Sequence, residues 1–361
     1  MKRVLLMAHQ LNLGGTERQL TEIAKALDRA RFEPHVGCFH SEGIRADELR
    51  AAGVPILRLP VTSFLSASAI SGAMQLRRYI RDRKIDLVHT FDVPLNVFGV
   101  PVARMSRAPV VVSSQRAHRD LTPGLYHRLL RITDRLVDAV VVNCEFMRRH
   151  LIDDDHVPER LIRLCYNGID LEVFRPGIKP GRSEISIGVV CALRPEKGLD
   201  TLLKAFTLVY AKNSGLKLVL VGDGPSKSAL QAQAARLGIL DACTFAPTTS
   251  RVADWLRGFD IFVLPSLSEA LSNALMEAMA CGCCVVASRV GGNPELTGED
   301  ERGLLFNAGD SAQLAAALER LIASPELRAD LAAKASGFIH SGFSLEASAQ
   351  RMGAIYDGLL Y

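Results

Sequence analysis

The sequence predicts an α/β fold made of two doubly wound domains, each with a parallel sheet covered by helices on both faces. Short apolar runs of strand length alternate with amphipathic stretches of helical length along the 361-residue chain. The alternation breaks once, at a stretch rich in Gly and Pro, and then starts again. A chain of this length also exceeds one ordinary hydrophobic core, so two domains are expected.

The N-terminal series begins at the first residues and ends before the break. Its apolar runs predict buried strands at residues 4–8, 35–39, 86–90, 109–114, 139–143 and 161–166. Apolar residues at helical spacing predict helices at residues 16–28, 44–52, 69–84, 95–104, 125–136 and 145–152. Thr16 is suited to cap the first of these helices.

The break contains Asn167-Gly168 and continues through Pro176-Gly177 to Pro180-Gly181. We place the domain boundary there, with an N-terminal domain at residues 1–176 and a C-terminal domain at residues 177–343. A last helix, in residues 344–361, is expected to pack back toward the N-terminal domain.

The C-terminal series repeats the same pattern. Strands are predicted at residues 185–192, 216–221, 242–245, 261–264, 283–287 and 303–306. Helices are predicted at residues 199–210, 226–237, 251–257, 311–323, 325–337 and 345–360, and a further one ends at Gly282. Strictly alternating units of this kind give parallel sheets.

Charge is unevenly distributed. The whole chain carries +4, but residues 58–149 hold 15 Lys and Arg against 7 Asp and Glu. The overall charge is too small to imply nucleic acid. The basic segment is compatible with an anionic partner, and solvated helix faces are an equally good explanation. The eight cysteines are scattered among apolar runs, as reduced thiols are in cytoplasmic enzymes. We therefore expect a cytoplasmic protein, with a peripheral contact with the inner membrane surface as a further expectation.

The segment 259–292 predicts a ligand-binding strand–helix–strand unit. Glu269 follows the strand Ile261–Leu264, where open parallel sheets bind ligands, and Glu277 lies about two turns into the next helix. Amides around Ser272 and Asn273 begin that helix and suit an anion. A ligand with hydroxyls at both ends and a diphosphate between them fits this arrangement.

Two further loops follow the first strand of each domain. Gly14-Gly15 allows close approach of the backbone to a phosphate or sugar, and a tight turn without a ligand is the alternative. Arg194 and Lys197 follow the strand at residues 185–192, where a solvated basic turn is the alternative.

Glu269, seven intervening residues and Glu277-Ala-Met-Ala-Cys-Gly resemble the E-x7-E signature of retaining glycosyltransferases of family GT4. The flanking sequences Leu264-Pro-Ser and Gly291-Gly-Asn-Pro-Glu strengthen the resemblance. It implies the GT-B fold, in which two Rossmann-like domains face a cleft, and a nucleotide-sugar donor. Gly14-Gly15 resembles the glycine loop that faces the donor in this family.

The resemblance also implies roles for individual residues. Two positions depart from the family pattern: Ala192 occupies the usual Arg position, with Arg194 two residues later, and the usual His position falls on Gln115 or Arg116, with His118 offset. The implied donor-binding residues are Gly14, Gly15, Arg194, Lys197, Ser272, Asn273 and Glu277. The implied catalytic residues are Glu269, Arg116 and His118.

The activity implied is that of a metal-independent hexosyltransferase with no cofactor. It would move a sugar from a UDP- or GDP-sugar to a glycan or lipid-linked acceptor, in cell-envelope or exopolysaccharide synthesis. Two alternatives stay open: a nucleotide-sugar epimerase of the same fold and a non-catalytic nucleotide-sugar-binding protein.

Overall fold

The computed structural model describes residues 1–12, 14–119, 122–177 and 184–361. The chain divides into two compact units, the first formed by residues 1–168 and 345–361 and the second by residues 169–344. Each unit is built around one parallel sheet. The predicted α/β fold class with two doubly wound sheets is therefore confirmed.

Unit 1 contains seven parallel strands in the order β3-β2-β1-β4-β5-β6-β7. The strands are β1 (Lys2–Gln10), β2 (Phe32–His40), β3 (Ile56–Arg58), β4 (Leu87–Thr90), β5 (Val110–Gln115), β6 (Ala139–Val142) and β7 (Ile162–Leu164). The helices are α1 (Gly15–Ala26), α2 (Ile44–Ala51), α3 (Ala67–Asp82), α4 (Val93–Met105), α5 (Gly124–Thr133) and α6 (Glu145–Asp153). Order along the sheet reverses between β1 and β4.

Unit 2 contains six parallel strands in the order β10-β9-β8-β11-β12-β13. The strands are β8 (Ile185–Val190), β9 (Leu216–Val221), β10 (Cys243–Ala246), β11 (Ile261–Leu264), β12 (Cys284–Ser288) and β13 (Leu304–Phe306). The helices are α7 (Leu199–Tyr210), α8 (Lys227–Arg236), α9 (Val252–Arg257), α10 (Asn273–Ala280), α11 (Asn293–Thr297), α12 (Ser311–Ala323) and α13 (Pro325–Gly342). Here the order reverses between β8 and β11.

The last helix, α14 (Leu345–Leu360), belongs to unit 1. Its Tyr356 is fully buried, packs edge-on against Phe32, and hydrogen-bonds through its hydroxyl to Nδ1 of His89 at 2.7 Å. Nε2 of His89 contacts the Ser114 hydroxyl at 2.8 Å. Both ring nitrogens of His89 are thus occupied, and burial lowers the pKa of this histidine well below its usual value. His89 is a structural residue that ties α14 to β4 and β5.

The boundary between the two units lies between residues 168 and 169 of the sequence. The predicted boundary, after Pro176, lies eight residues later. Ile169 pairs with Ser344 in a short parallel bridge, and its amide donates to the carbonyl of Phe343. Arg257 Nε donates to the carbonyl of Arg175 at 3.1 Å. These contacts join residues 169–175 to unit 2. The second half of the predicted linker, including Pro180-Gly181, lies outside the described residues.

Candidate active site

In unit 2, two charged side chains meet at the point where the strand order reverses. Lys197 ends a short 3-10 turn that follows β8, and Glu269 follows β11. Lys197 Nζ donates to Glu269 Oε1 at 2.7 Å, and the Ser266 hydroxyl donates to the same oxygen at 2.7 Å. The Lys197 and Glu269 side chains are only 23% and 11% exposed. The carboxyl ends of the strands at such a reversal form the usual ligand crevice of open α/β sheets.

Backbone contacts between neighbouring loops hold the Lys197–Glu269 pair in place. The amide of Leu267 donates to the carbonyl of Glu196 at 2.8 Å, so the loop after β11 is bonded to the loop after β8. Gly198 has a φ of +61°, and a Cβ there would lie 2.1 Å from the Pro265 carbonyl oxygen. Gly291, after β12, approaches the Glu269 carbonyl oxygen just as closely, with a φ of +55°. Three loops therefore surround Glu269, and glycine is required at two of their contacts.

Helix α10 begins directly after this loop. The Ser272 side chain caps it by accepting from the amide of Leu275 at 3.3 Å, and Asn273 is its first residue. The first-turn amides of a helix carry partial positive charge and suit an anion such as a diphosphate. Glu277 lies on the second turn and is buried. The N-terminal end of α10 and the Lys197 ammonium thus lie at the same edge of the sheet, where the Glu269 carboxylate balances the lysine charge.

Arg194 is placed differently from Lys197. It precedes the 3-10 turn, its side chain is 59% exposed, and its guanidinium lies 3.5 Å from the carboxylate of Glu196. The structure does not bring Arg194 into the hydrogen bonds around Glu269. A phosphate contact by Arg194 therefore requires its side chain to leave Glu196.

Cys191 lies beside this pair, immediately after β8. Burial raises the pKa of its thiol to about 12, with opposing effects of the nearby Lys197 and Glu269 charges. The thiol therefore stays protonated at neutral pH and is a poor nucleophile.

In unit 1, the Gly14-Gly15 loop lies at the corresponding reversal, after β1. Gly14 immediately precedes α1, and a Cβ at Gly14 would lie 2.0 Å from a carboxylate oxygen of Glu17. The Glu17 carboxylate also accepts from Gln10 Nε2 at 3.2 Å. Glycine at position 14 therefore lets the Glu17 side chain fold over the start of its own helix. Leu13, which precedes this pair of glycines, lies outside the described residues.

Asp92, which the sequence reasoning missed, stands at the end of β4 on the other side of the same reversal. Its carboxylate accepts from the amides of His9 at 2.5 Å and Leu95 at 3.0 Å, so it caps α4 and fastens that helix to β1. Burial raises its pKa to about 7. An Asp directly before a helix that has Pro94 in its first turn was the signal that could have identified this cap.

Arg116 and His118 follow β5 but point to different surroundings. Arg116 lies over the ring of Phe91, 5.0 Å from its centre, and donates to Asn167 Oδ1 at 2.8 Å. Burial lowers the pKa of Arg116 to about 10. His118 stacks on His150 of α6 with ring centres 3.8 Å apart. These two predicted catalytic residues therefore contact different parts of the protein.

The same segment contains Arg119, which is fully buried and forms a bidentate pair with Asp134 at 2.7 and 3.0 Å. Asp155, the last residue of an Asp-x-Asp sequence at 153–155, lies 3.5 Å from Arg119 Nε and accepts from His127 at 2.7 Å. These acidic groups are paired with cations of the protein. Within the described ranges, no cluster of three or more His, Cys, Asp or Glu side chains could hold a metal ion.

Two family models match adjacent parts of the chain. Residues 13–173 match "Glycosyltransferase Family 4" and residues 173–337 match "Glycosyl transferases group 1". Among curated relatives, the D-inositol 3-phosphate glycosyltransferase of Segniliparus rotundus is 33% identical over 280 residues. That match covers 73% of this chain and 62% of the relative, so the chain spans less than two thirds of the relative's length.

Solved structures show the same fold. Anabaena Alr3699/HepE in complex with UDP and glucose superposes with a TM-score of 0.86 at 21% identity, covering 99% of this chain and 100% of that one. Sucrose-phosphate synthase from Thermosynechococcus elongatus also gives a TM-score of 0.86, at 19% identity over 99% of both chains. Both are similar in fold to this chain. Of the helices in its described ranges, none is long and apolar enough to cross a membrane.

Proposed function

Because this chain belongs to the family 4 glycosyltransferases, with the GT-B fold, we propose that it transfers a sugar from a nucleotide-sugar donor to an acceptor hydroxyl with retention of configuration. The observation that carries the proposal is the Lys197–Glu269 pair at the strand reversal of unit 2, with the start of α10 immediately behind it. This arrangement supplies an ammonium, a row of helix amides and a carboxylate within one loop cluster.

The diphosphate leaving group is the focus of the proposed chemistry. Lys197 and the first-turn amides at Asn273 stabilise the negative charge that develops as the bond to the sugar breaks. Arg194 joins them once its guanidinium leaves Glu196, because its planar fork suits phosphate oxygens. No metal is needed in this scheme, and a metal-independent reaction stays a prediction.

The two glutamates have separate roles in the proposal. Glu277 accepts hydrogen bonds from the ribose hydroxyls of the donor. Glu269, which Ser266 and Lys197 hold in place, contacts the hydroxyls of the transferred sugar. The acceptor hydroxyl attacks on the face from which the diphosphate leaves, so the configuration is retained. The protonated thiol of Cys191 is consistent with a route without a cysteine–sugar intermediate.

Roles are also proposed for four residues of unit 1. Gly14 and Gly15 approach the donor phosphate or sugar through their backbone. Arg116 adds positive charge for the leaving phosphate, and His118 reaches the sugar after leaving its stacked position on His150.

The nucleotide of the donor is UDP or GDP in this proposal. The acceptor is a hydroxyl group of a glycan or of a lipid-linked molecule in cell-envelope or exopolysaccharide synthesis. A similar structure holds UDP and glucose, and a relative is named for inositol 3-phosphate. The net charge of +8 in residues 58–149 suits an acceptor that carries negative charge. The proposed location is the cytoplasm, at the inner membrane surface.

Thermal shift with a panel of nucleotide sugars tests donor binding, because a donor at one hundred times its Kd stabilises the folded state by about 2.7 kcal/mol. Donor turnover is then measured in Glu277→Gln and in the double variant Lys197→Met/Glu269→Gln, which removes both charges of the pair and so leaves none unpaired. We expect each variant to lose at least tenfold in turnover. Activity within a few-fold of wild type in both variants would refute the assignment.

Incubation of the donor without acceptor separates this proposal from an epimerase of the same fold. A transferase leaves the donor intact or hydrolyses it slowly, whereas an epimerase converts it into a second nucleotide sugar. Donor binding without transfer to any acceptor extract would instead indicate a non-catalytic binding protein.

A further inference from the structure

A cavity of about 540 Å³ lies at the amino edge of the unit 1 sheet. Its walls come from the end of α5 and from the segment that joins α6 to β7. Val137, which precedes β6, and Leu161, which precedes β7, both line it. Parallel strands all begin at one edge of a sheet, so the cavity lies at the opposite end of the strands from Gly14-Gly15 and Arg116. Its volume is within the usual range of small-molecule sites.

Three arginines line this cavity. Arg135 and Arg160 are exposed, and within the described ranges neither side chain contacts a carboxylate. The Arg131 side chain is 54% exposed, and its Nε lies 3.7 Å from the Asp155 carboxylate, which is longer than a hydrogen bond. Guanidinium groups with free N–H donors suit the paired oxygens of a phosphate. The arginines therefore indicate an anionic ligand.

The acidic residues that line the cavity are paired inside the protein. Asp134 forms the bidentate pair with the buried Arg119. The Asp155 side chain is only 1% exposed, and His127 Nε2 contacts its Oδ1 at 2.7 Å. The negative charge of this wall is thus balanced by buried groups. Arg135 and Arg160 stay available to an anion that enters from solvent.

Asp155 also connects the cavity to the segment after β5. Its second oxygen, Oδ2, has no hydrogen-bond partner among the described residues and lies 3.6 Å from His150 Nε2. The His150 ring in turn stacks on His118. An anion that binds Arg131 draws this guanidinium away from Asp155. The buried carboxylate then gains from a closer contact with His150, because an unpaired buried oxygen is costly.

We propose that this cavity binds a phosphate monoester of a small polar molecule, and that its occupancy repositions His118 through Asp155 and His150. A monoester carries close to two negative charges and three acceptor oxygens, which suits three guanidinium groups. The rest of the molecule fills the cavity, which is much larger than a phosphate group. Binding here is independent of the proposed function. Its regulatory effect rests on that function, because His118 is one of the proposed catalytic residues.

Titration calorimetry with glucose 6-phosphate, glucose and inorganic phosphate tests the cavity. Glucose 6-phosphate should bind at least tenfold more tightly than glucose, because only the ester reaches the arginines with a charge. It should also bind more tightly than inorganic phosphate, because its sugar occupies the cavity. Sedimentation with phosphatidic acid vesicles, against phosphatidylcholine vesicles, tests a lipid as the source of the monoester, and the tighter arm identifies the source. No binding of any of the phosphate compounds would overturn the proposal.

Substitutions at exposed positions keep the test independent of folding. The double variant Arg135→Met/Arg160→Met removes two guanidinium groups without leaving a carboxylate unpaired, and it should lower the affinity at least tenfold. Arg128→Met/Arg149→Met is the matched control, because both arginines are exposed on α5 and α6 and neither lines the cavity. An equal loss in the control would show that the ligand responds only to the overall charge and would overturn the proposal.

NMR signals of the His118 and His150 rings, assigned with His118→Gln and His150→Gln, measure the coupling. Glucose 6-phosphate should shift both signals in wild type and neither in Arg135→Met/Arg160→Met. Saturation of the site without a shift would overturn the coupling.

Lys197→Met keeps this inference separate from the proposed function. The variant should lose nucleotide affinity and bind glucose 6-phosphate as wild type does. If it loses glucose 6-phosphate instead, the ligand occupies the proposed donor site and the cavity assignment is wrong. A wild-type chain that binds glucose 6-phosphate through Arg135 and Arg160 but binds no nucleotide would support the cavity and refute the proposed donor.

Discussion

Gly198→Ala tests whether the contact between two loops positions Lys197 and Glu269. At a φ of +61° an alanine costs about 1–2 kcal/mol from backbone strain alone. Its Cβ would also stand 2.1 Å from the Pro265 carbonyl oxygen, so the loop after β11 must move away. That movement disrupts the Leu267–Glu196 hydrogen bond and the Lys197–Glu269 pair. The loss of both interactions should lower the free energy of unfolding by about a further 2–4 kcal/mol.

Gly238→Ala is the matched control for Gly198→Ala. Gly238 has a φ of +69° in the same unit, but a Cβ there meets no atom within 4 Å. It should therefore show the strain cost without the displacement. Urea unfolding measures both free energies, and calorimetry measures the nucleotide Kd, which should weaken at least tenfold in Gly198→Ala only. Equal destabilisation in the two variants, with unchanged nucleotide binding, would show that the contact between Gly198 and Pro265 does not position Lys197 and Glu269.

Three further predictions concern unit 1. Tyr356→Phe leaves His89 Nδ1 buried without its hydroxyl partner and should cost about 1–3 kcal/mol in urea unfolding, whereas Tyr361→Phe at the exposed C-terminus should cost nothing measurable. Since burial lowers the pKa of His89 in the folded state, the unfolded chain binds its proton first, and stability should fall as pH drops below about 6.5. His89→Gln should reduce that slope by up to about 1.4 kcal/mol per pH unit, and an unchanged slope would contradict this origin. Arg119→Met leaves the buried Asp134 carboxylate unpaired and should cost about 3–5 kcal/mol, and a loss under 1 kcal/mol would show that the pair is not needed.

Strands that are buried on both faces and helices with strong periodicity could be predicted from the sequence. The bounds of the strands Leu216–Val221 and Ile261–Leu264 are confirmed as predicted, because strands inside a covered parallel sheet are mostly apolar. The bounds of the helix Leu199–Tyr210 are confirmed as well, because its apolar residues recur at helical spacing. Short elements were missed. Strand Ile56–Arg58 has three residues at the sheet edge, and helix Asn293–Thr297 has five, too few for any period to appear.

The end of one helix was predicted wrongly because of a glycine. The helix predicted to end at Gly337 continues to Gly342, because Ile339 is fully buried and its packing outweighs the low helix propensity of glycine. Tertiary packing of this kind is invisible to local sequence rules.

The position of the candidate site could be predicted from the sequence, but the contacts between its side chains could not. Strand ends indicated that Lys197 and Glu269 lie at one edge of a sheet, although they are 72 residues apart. Their hydrogen bond depends on the register of β8 against β11, which the sequence does not specify. The stacking of His118 on His150 depends likewise on how α6 packs. The roles assigned to these residues stay predictions.

We propose that the strand reversal of unit 2 binds a nucleoside diphosphate through Lys197. Titration calorimetry of UDP and GDP against wild type and Lys197→Ala tests it most directly, with Lys212→Ala as control, because Lys212 is 69% exposed and pairs with Glu319 away from the site. We expect at least tenfold weaker binding of the preferred nucleotide in Lys197→Ala and no change in Lys212→Ala. Equal affinity in all three proteins, or no binding of either nucleotide to wild type, would contradict it.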